Sequence, residues 1–556
     1  MLELQMIKIK VISLLKRTPF FSIIRSAVLN LSKEGRNLRR NERKLLKDLE
    51  IRIGLELKQP VSYSKKIVLI LGLSRVSAIA SEVIIRKSFE LAGYRCIVLL
   101  PDDEIVKKAY SLTGSDELIP YSEFLGSTEN HSTRLLSLCS SISNVVKIAV
   151  DRISCGKFAV STLMRKKRAG SLDFNDSKTH FELGNMLNVS FQNAHAAKKI
   201  INTLNPDALV LVDRGYSRSG ELFDESINNQ TPVFTWNSGH KNNTLILKKY
   251  TSKNKNVHPS SLSEENWNKL KEMKWEEKHW NILKSELDCC YKSGEWYSEV
   301  GTQVNNISFN KMQLIDLLKL NPKLKTAIIY PHIFWDATFF WGDDLFENYE
   351  DWFIQTVKEA ISNDKVNWII KVHPANLVKD NRDKYFGKHS EIIAINKITD
   401  KLPAHIKVIP AETNISTYSL FDIMDYCLTV RGTIGIESAC FGIPTITAGS
   451  GRYDNLGFTI DSNTREEYLS KINNIEKNNK LTTKQTELAR RYAFGVFIGR
   501  PTHLESIKIS YKKNKTADLK VDFEFDTLGE LFKSNDLDSI SRWIKSGDED
   551  YFNNLL

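Results

Sequence analysis

The alternation of short apolar runs with helical segments is the feature that most limits how this chain can fold. The run KKIVLILGL (65–73) has the continuous Ile, Val and Leu content of a strand buried on both faces. A helical stretch (77–93) and a second apolar run (94–101) follow it directly. Strand, helix and strand in this order form a βαβ unit, which is typical of a parallel sheet. The pattern predicts an α/β fold.

The same alternation continues along the chain. A helix leads into a strand at 195–215, a short strand follows at 231–239, and a second block opens with LKTAIIYPH (324–332). Further strands of the second block are predicted at 366–374, 407–412, 425–432 and 443–449, with a helix at 434–442 between the last two. We therefore predict two Rossmann-like lobes with a central cleft, a helical N-terminal arm and a helical C-terminal tail.

The 556 residues divide into five segments on this interpretation. They are a basic helical arm (1–60), a first lobe on the acceptor side (61–250), a helical connection (251–323), a second lobe on the donor side (324–510) and an acidic tail (511–556). With 41% hydrophobic and 26% charged residues, the composition excludes a disordered chain.

The net charge of +11 is concentrated at the N-terminus. Residues 1–50 contain twelve Lys or Arg against five Asp or Glu, a net charge of +7, so the rest is close to balanced. Nucleic-acid binding requires a basic face on the folded domain, and we therefore expect no nucleic-acid partner. Residues 7–31 suit either an amphipathic helix on anionic lipid or a helix packed on the protein with a solvated basic face.

The cysteines indicate the compartment. There are seven of them without C-x-x-C spacing, which fits neither a disulfide framework nor a zinc site. We expect a cytoplasmic protein, in peripheral contact with the inner face of the membrane if residues 1–50 bind lipid. No metal is expected, because the usual ligand motifs are missing.

The strongest candidate site follows the strand at 425–432. Arg431, Gly432 and Thr433 stand at the point where that strand passes into a helix, and Glu437 follows in the first turn. A helix N-terminus, an arginine and a hydroxyl suit a phosphate, and the carboxylate suits a ribose diol. The alternative is a plain helix cap with exposed polar side chains.

Two more strand ends of the second block carry polar residues. Lys371, His373 and Pro374 follow one strand, and the proline holds the histidine in extended geometry, where it suits phosphate binding or acid catalysis. His332 and Asp336 follow another strand and are predicted to face the cleft floor. Aromatic residues crowd the same segment and suit a sugar-stacking wall or, for most of them, core positions: Phe334, Trp335, Phe339, Phe340 and Trp341.

The first block supplies candidate residues that would face the second block across the cleft. Asp213 and Arg214 stand at a strand end, and Glu221 lies near the start of the next helix. A carboxylate across the cleft from an anion site is what glycosyl transfer needs as base or nucleophile, and Asp336 is a further candidate for that role. Trp236, Asn237 and His240 are predicted to bind the acceptor together with Arg214. A helix cap or a surface ion pair is the alternative for each residue taken singly.

Four segments of the second block resemble the capsule polysaccharide biosynthesis family. In chain order they are KVHP, RGTIGIE, ACFGIP and GSGRYDNLGFTID. The resemblance implies a metal-independent GT-B glycosyltransferase, with Kdo transferases that use a CMP-activated sugar among its members. It implies that His373-Pro374 contacts the nucleotide phosphate. Arg452, in the segment SGRYDN where the sequence departs from the family pattern, is a further predicted donor-binding residue. The likeness is specific over 325–470 and general over 65–250.

Together, the residues and the resemblance predict a glycosyltransferase of bacterial capsular or lipopolysaccharide biosynthesis. The partners would be a nucleotide sugar, used as a co-substrate without a separate cofactor, and a glycan or lipid-linked glycan acceptor. One alternative is a nucleotide-sugar 2-epimerase, and another is a non-catalytic nucleotide- or glycan-binding component of a capsule assembly complex.

Overall fold

The computed structural model describes residues 33–52, 65–115, 117–126, 131–300, 307–336, 338–512 and 518–553. Within these residues the chain forms two α/β lobes, each around its own mainly parallel sheet, as the alternation predicts. A cleft separates the lobes, so the predicted fold class is confirmed. No helix of the described part is long and apolar enough to span a membrane. The predicted lipid-binding stretch at 7–31 lies outside the described residues.

The first lobe has a seven-stranded sheet. Its strands are β1 (Lys66–Leu71), β2 (Tyr94–Leu100), β3 (Glu117–Pro120), β4 (Ala208–Leu211), β5 (Val233–Ser238), β6 (Thr244–Tyr250) and, from near the end of the chain, β13 (Thr502–His503). They lie in the order β13-β6-β5-β4-β1-β2-β3. Strands β1 to β5 are parallel, whereas β6 runs antiparallel to both β5 and β13.

Helices cover both faces of this sheet. They are α1 (Lys33–Arg52), α2 (Val76–Leu91), α3 (Glu104–Leu112), α4 (His131–Ser137), α5 (Ile142–Val146), α6 (Cys155–Lys167), α7 (Ser177–Leu204) and α8 (Ser219–Asn228), with a 3-10 turn at Tyr121–Phe124. Helix α1 belongs to the predicted arm and packs on the lobe. Arg39 forms an ion pair with Asp103 at 3.0 Å, and Glu42 accepts a hydrogen bond from the Val76 amide at 2.6 Å.

The second lobe has a fully parallel six-stranded sheet. Its strands are β7 (Thr326–Ile329), β8 (Asn367–Lys371), β9 (Ile406–Ile409), β10 (Tyr426–Thr429), β11 (Thr445–Thr447) and β12 (Thr459–Ile460), in the order β12-β11-β10-β7-β8-β9. The helices are α12 (Tyr349–Ser362), α13 (Ala375–Asp383), α14 (Ser390–Asn396), α15 (Thr433–Ala439), α16 (Arg465–Asn473) and α17 (Thr483–Phe494), and short turns lie at Tyr418–Asp422, Ile475–Lys477 and Gly495–Gly499.

Between the lobes the chain is helical, as predicted. The elements are α9 (Glu264–Glu272), α10 (Glu277–Ser293), a 3-10 turn at Ser298–Val300 and α11 (Lys311–Leu318). Helices α9 and α10 pack on α17 through an aromatic core of their own, to which Trp267, Trp280 and Trp296 contribute. The tryptophans that recur along the connection therefore belong to the packed face of these helices.

The end of the chain is the main departure from the predicted organisation. Instead of a separate tail from 511, it forms a β-hairpin, β14 (Ile507–Tyr511) with β15 (Leu519–Phe523), then α18 (Leu528–Phe532) and α19 (Asn535–Ser546), all on the first lobe. Leu537, Ile540 and Ile544 of α19 are buried in that lobe's core. The composition predicted a helical tail but not this packing, in which Asp538, Arg542 and Lys545 are exposed. Asp536 of the same helix is buried and accepts a hydrogen bond from the Ser506 hydroxyl at 2.6 Å.

A buried ionic cluster ties the C-terminus to both chain crossings between the lobes. Asp550 lies 2.7 Å from the Lys248 ammonium and 3.5 Å from the Arg500 guanidinium, and all three side chains are fully buried. Its second carboxylate oxygen accepts a hydrogen bond from the amide of Ser263. Lys248 and Ser263 flank the crossing into the second lobe, and Arg500 lies on the return.

Asp550→Ala should lower the free energy of unfolding by about 3–5 kcal/mol, because it removes the fully buried carboxylate from Arg500 and from Lys248, which keeps only the partly exposed Glu549 at 2.6 Å. Asp548→Ala is the matched control, since Asp548 is exposed two residues away, and its effect should stay within about 0.5 kcal/mol. Urea unfolding followed by circular dichroism measures both. Equal losses in the two variants would contradict a stabilising role for the cluster.

Candidate functional site

A cavity of about 590 Å³ lies between the lobes, beyond the carboxyl ends of β4 and β5 on one side and of β7, β8 and β10 on the other. Parallel strands end at one edge of a sheet, and the two edges face each other here, which is where ligands bind in such folds. Most of the predicted site residues line it: Asp213, Arg214, Asn237, His332, Asp336, Lys371, His373, Pro374, Arg431, Gly432, Thr433, Glu437 and Arg452.

Lys371, the last residue of β8, carries a buried ammonium group on the cavity wall. Its side chain is 2% exposed, and its Nζ has no hydrogen-bond partner among the residues that the structure describes. Burial lowers the pKa of this ammonium to about 8. Because a buried charge without a partner is costly, an anionic ligand would satisfy this group.

Arg431, two residues beyond β10, is the second buried cation. One Nη atom bonds the Asp344 carboxylate, whereas Nε and the other Nη have no hydrogen-bond partner within the described part of the chain. The backbone amide of Arg431 donates to Nε2 of His332 at 3.2 Å, so the hydrogen of that ring belongs on Nδ1. The guanidinium is 2% exposed and lines the cavity with N–H groups to spare.

His373 is a neutral donor in this cavity. Its Nδ1 accepts the amide hydrogen of Ala375 at 3.1 Å, which leaves Nε2 protonated. Burial, reinforced by the ammonium groups of Lys379 and Lys371, lowers its pKa to about 4. Near neutral pH the ring therefore suits donation of a hydrogen bond to a phosphate, and the predicted role as a general acid does not fit this pKa.

Gly432 lines the cavity, but its backbone groups are used within the loop. Its amide donates to Oγ1 of Thr429 at 3.2 Å, and its carbonyl accepts from the Tyr453 hydroxyl at 2.7 Å. The Gly432 amide is therefore not available to a ligand.

Glu437 lies on α15, 1% exposed, and accepts a hydrogen bond from the hydroxyl of Tyr291. Burial raises the pKa of this carboxyl group to about 7. Arg452 connects the site to the segment before α9, since it donates to the Arg431 carbonyl at 2.9 Å and to Oγ of Ser260 at 2.8 Å.

Two carboxylates face each other across the cleft. One oxygen of Asp213 accepts the amide of Gly215 at 2.8 Å, and the other lies 3.8 Å from the Arg165 guanidinium. Although 48% of the Asp213 side chain is exposed, its partial desolvation within the cleft raises the pKa of this carboxyl group. One of its oxygens has no close donor among the described residues.

Asp336 is already engaged by both of its oxygens. The Tyr216 hydroxyl donates to it at 2.7 Å, and the Lys379 ammonium bonds the second oxygen. Although burial opposes ionisation, Lys379 and this hydroxyl lower the pKa of Asp336 to about 2. Tyr216 belongs to the first lobe and Asp336 to the second, so the contact joins the lobes.

Arg214 lines the cavity, but its guanidinium group is enclosed by neighbouring residues of both lobes. It donates to the carbonyl of Phe340 at 2.9 Å, and its guanidinium lies 4.5 Å from the Trp341 ring centroid and 4.4 Å from that of Phe223. This arrangement suits a contact between the lobes better than binding of an acceptor. Trp341 is one aromatic residue of its segment that lines the cavity, whereas Phe334 and Trp335 are buried in the core.

Three predicted residues do not line the cavity. Glu221 is fully buried, and its carboxylate accepts from Ser190 at 2.5 Å and from the Arg218 amide at 2.6 Å. The hypothesis that it faces the acceptor is therefore corrected, because this carboxylate fixes the start of α8. Trp236 points to the opposite face of β5 from Asn237, as alternate strand residues do, and is buried in the core.

His240 is the third of these residues. Its Nε2 lies 2.7 Å from the Glu286 carboxylate, and its ring packs behind Trp296. His240, Glu286 and Cys290 bring potential metal ligands within 4.8 Å of one another, but the Lys241 ammonium occupies the same carboxylate at 2.6 Å. His240 therefore lies behind the residues that line the cavity, and the prediction that it binds the acceptor is corrected.

Several residues of the cavity were missed from the sequence. They come mainly from the helical connection and its flanks: His258, Pro259, Ser260, Tyr291, Trp296, Tyr297 and Glu299. Their sequence signal is the aromatic cluster CCYKSGEWY (289–297), which by itself is equally typical of a packed helix. Lys379 was also missed, because it lies inside α13 and not at a strand end.

Comparisons with known proteins give only weak likenesses. No protein-family model matches the chain, and no curated protein sequence matches it. One similar solved structure is the β-Kdo 2,4 transferase KpsC of Thermosulfurimonas dismutans, with 14% identity over 59% of this chain and 87% of that one, and a TM-score of 0.34. Another is a UDP-GlcNAc 2-epimerase of Neisseria meningitidis bound to UDP-GlcNAc, with 11% identity, coverage of 78% and 96%, and a TM-score of 0.24. Likeness at this level supports no argument about the reaction.

Lys371→Met should weaken binding of pyrophosphate at least about tenfold while leaving the unfolding temperature unchanged or higher, because it removes an unpaired buried charge. Lys325→Met is the matched control at the other end of the same sheet. The Lys325 ammonium donates to the Tyr426 hydroxyl at 2.7 Å, so this variant should lose stability and keep its affinity. Calorimetric titration and thermal unfolding test the pair. A Lys371→Met protein that is destabilised and binds normally would rule out an anion-binding role.

Proposed function

We propose that this chain is a glycosyltransferase of bacterial surface polysaccharide biosynthesis, which transfers a sugar from a nucleotide-activated donor to a glycan acceptor. The observation that carries the proposal is the pairing of two incompletely satisfied buried cations, Lys371 and Arg431, with the available carboxylate of Asp213 across one cavity. The cations suit the phosphate of the donor, and the carboxylate suits activation of an acceptor.

The donor side belongs to the second lobe in this proposal. Lys371, Arg431 and the Nε2–H of His373 stabilise the charge that develops on the leaving phosphate. Glu437 accepts hydrogen bonds from ribose hydroxyls. A CMP-Kdo-like donor is one candidate, suggested by the sequence resemblance, and a metal ion is not required in this scheme.

The acceptor side belongs to the first lobe. Asp213 takes the proton of the acceptor hydroxyl as that oxygen bonds the anomeric carbon, and the bond from this carbon to the phosphate oxygen breaks. We prefer Asp213 to Asp336 as the base because both oxygens of Asp336 are already bonded. The cleft between the lobes excludes water and so limits hydrolysis of the donor.

The surroundings of the reaction are also part of the proposal. We place the enzyme in the cytoplasm, with residues 1–50 in contact with the inner face of the membrane and a lipid-linked glycan as the acceptor. The basic composition of this arm supports that placement. A vesicle-flotation assay that compares the full chain with one lacking residues 1–32 tests it.

Arg431→Ala should raise the Kd for the preferred nucleotide about tenfold or more, because it removes charge-assisted hydrogen bonds to phosphate. His373→Ala should weaken binding as well, whereas Asp213→Asn should leave it unchanged. Calorimetry with CMP, CDP, UDP and GDP measures all of these. Unchanged affinity in a folded Arg431→Ala protein would contradict the phosphate site.

Turnover separates the alternatives. With a panel of CMP-, UDP- and GDP-sugars, a transferase releases free nucleotide, and Asp213→Asn should reduce that release at least about a hundredfold. An epimerase yields only an isomeric sugar nucleotide. Nucleotide binding without any turnover would favour a non-catalytic binding component.

A further inference from the structure

Tyr291 connects the helical segment between the lobes to the nucleotide side of the cavity. It lies on α10, outside both sheets, and its hydroxyl donates to Oε2 of Glu437 on α15. Both residues line the cavity, and Glu437 is 1% exposed. Water therefore has little access to this carboxylate, and its charge state depends on the groups that surround it.

The neighbours of Glu437 within bonding distance are donors. Besides Tyr291, the side chains of Thr433 and Trp296 hydrogen-bond to it. An indole N–H can only donate, and such a shell stabilises the ionised carboxylate against the cost of burial. A carboxylate has about four acceptor positions, so acceptor capacity remains on the cavity side for a ligand hydroxyl.

Other titratable groups near Glu437 do not change charge near neutral pH. The further charged or titratable groups that face it are Arg452, Tyr297, Tyr330, Tyr418, Cys427 and Cys440. Burial raises the pKa of each of these tyrosines and cysteines, so they keep their protons.

We propose that Tyr291 is a positioning residue that keeps Glu437 ionised as the acceptor for the sugar hydroxyls of a bound nucleotide, so that nucleotide affinity depends on pH. The inference rests on the proposed function only in taking a nucleotide as the ligand. On this inference, the helical connection helps to set the affinity for the donor, although it belongs to neither lobe.

The direction of the pH effect follows from the carboxyl group. Burial raises the pKa of Glu437 to about 7, so its ionised form predominates above that pH. Binding that requires the carboxylate is then strong just above pH 7 and is lost as the pH falls. At the upper end of the range, loss of the Lys371 proton, whose pKa is about 8, weakens phosphate binding separately. The Tyr291 hydroxyl opposes this rise of the pKa, and its removal moves the transition to higher pH.

Calorimetric titration of CMP, CDP, UDP and GDP between pH 5.5 and 8.5 tests the proposal. For the nucleotide that binds best, the wild-type Kd should rise up to about tenfold per pH unit below the pKa of Glu437. Tyr291→Phe should move the midpoint upward by about one pH unit, as expected for a hydrogen bond to a charged group.

Tyr418→Phe is the matched control. Its ring stacks on Tyr291 with centroids 4.9 Å apart, but its hydroxyl bonds Asp288 and does not contact Glu437. This variant loses a partly buried hydroxyl from the same aromatic stack and should keep the wild-type pH profile. Glu437→Gln provides a second variant, in which only the titrations of the nucleotide phosphate and of the Lys371 ammonium, whose pKa is about 8, should remain.

The outcomes are distinct. A Tyr291→Phe profile that superimposes on wild type, or a Glu437→Gln profile with the full wild-type slope, overturns the inference. A wild-type profile that is flat, with binding still weakened by Arg431→Ala, overturns it and leaves the proposed function standing. If the wild-type protein binds none of the four nucleotides, both are overturned.

Discussion

Two buried cations with incomplete hydrogen bonding, Lys371 and Arg431, are the feature on which the rest of the cleft depends. Each stands at or just beyond the carboxyl end of a strand in the centre of the second sheet, where neighbouring side chains converge. Leaving such groups unpaired opposes folding. The histidines beside them are kept neutral, since His332 and His373 both have lowered pKa values through burial. The local charge is therefore carried by these cations, with Arg452 and Lys379 around them.

The two aspartates that line the cleft come one from each lobe. Asp213 and Asp336 lie close enough to influence each other, and the structure distinguishes them by their partners. Asp336 is held by Lys379 and by Tyr216 from the other lobe, whereas Asp213 keeps an oxygen without a close donor. The two aspartates thus differ because their surroundings differ. Asp336 is held in its ionised form by its partners, whereas Asp213 keeps an oxygen that could accept a proton.

The helical connection and the end of the chain hold the lobes together. The connection contributes Tyr291 and Trp296 to the cavity wall, and the C-terminal segment places Asp550 between Lys248 and Arg500 at the two crossings. Any change in the angle between the lobes must act on these contacts. The cavity wall and the two crossings are therefore connected through the same two segments of the chain.

The sequence by itself determined the two α/β lobes and most of the residues of the cleft, because strands buried on both faces are apolar throughout and polar residues follow them at one sheet edge. It identified Lys371, Arg431 and Asp213 for that reason. Only the tertiary structure decided which polar groups remain available: Glu221 is used within its own helix, and the Gly432 amide is used by Thr429. The aromatic wall from the connection and the packing of α19 on the first lobe also lay beyond the sequence, since they depend on contacts between residues distant along the chain.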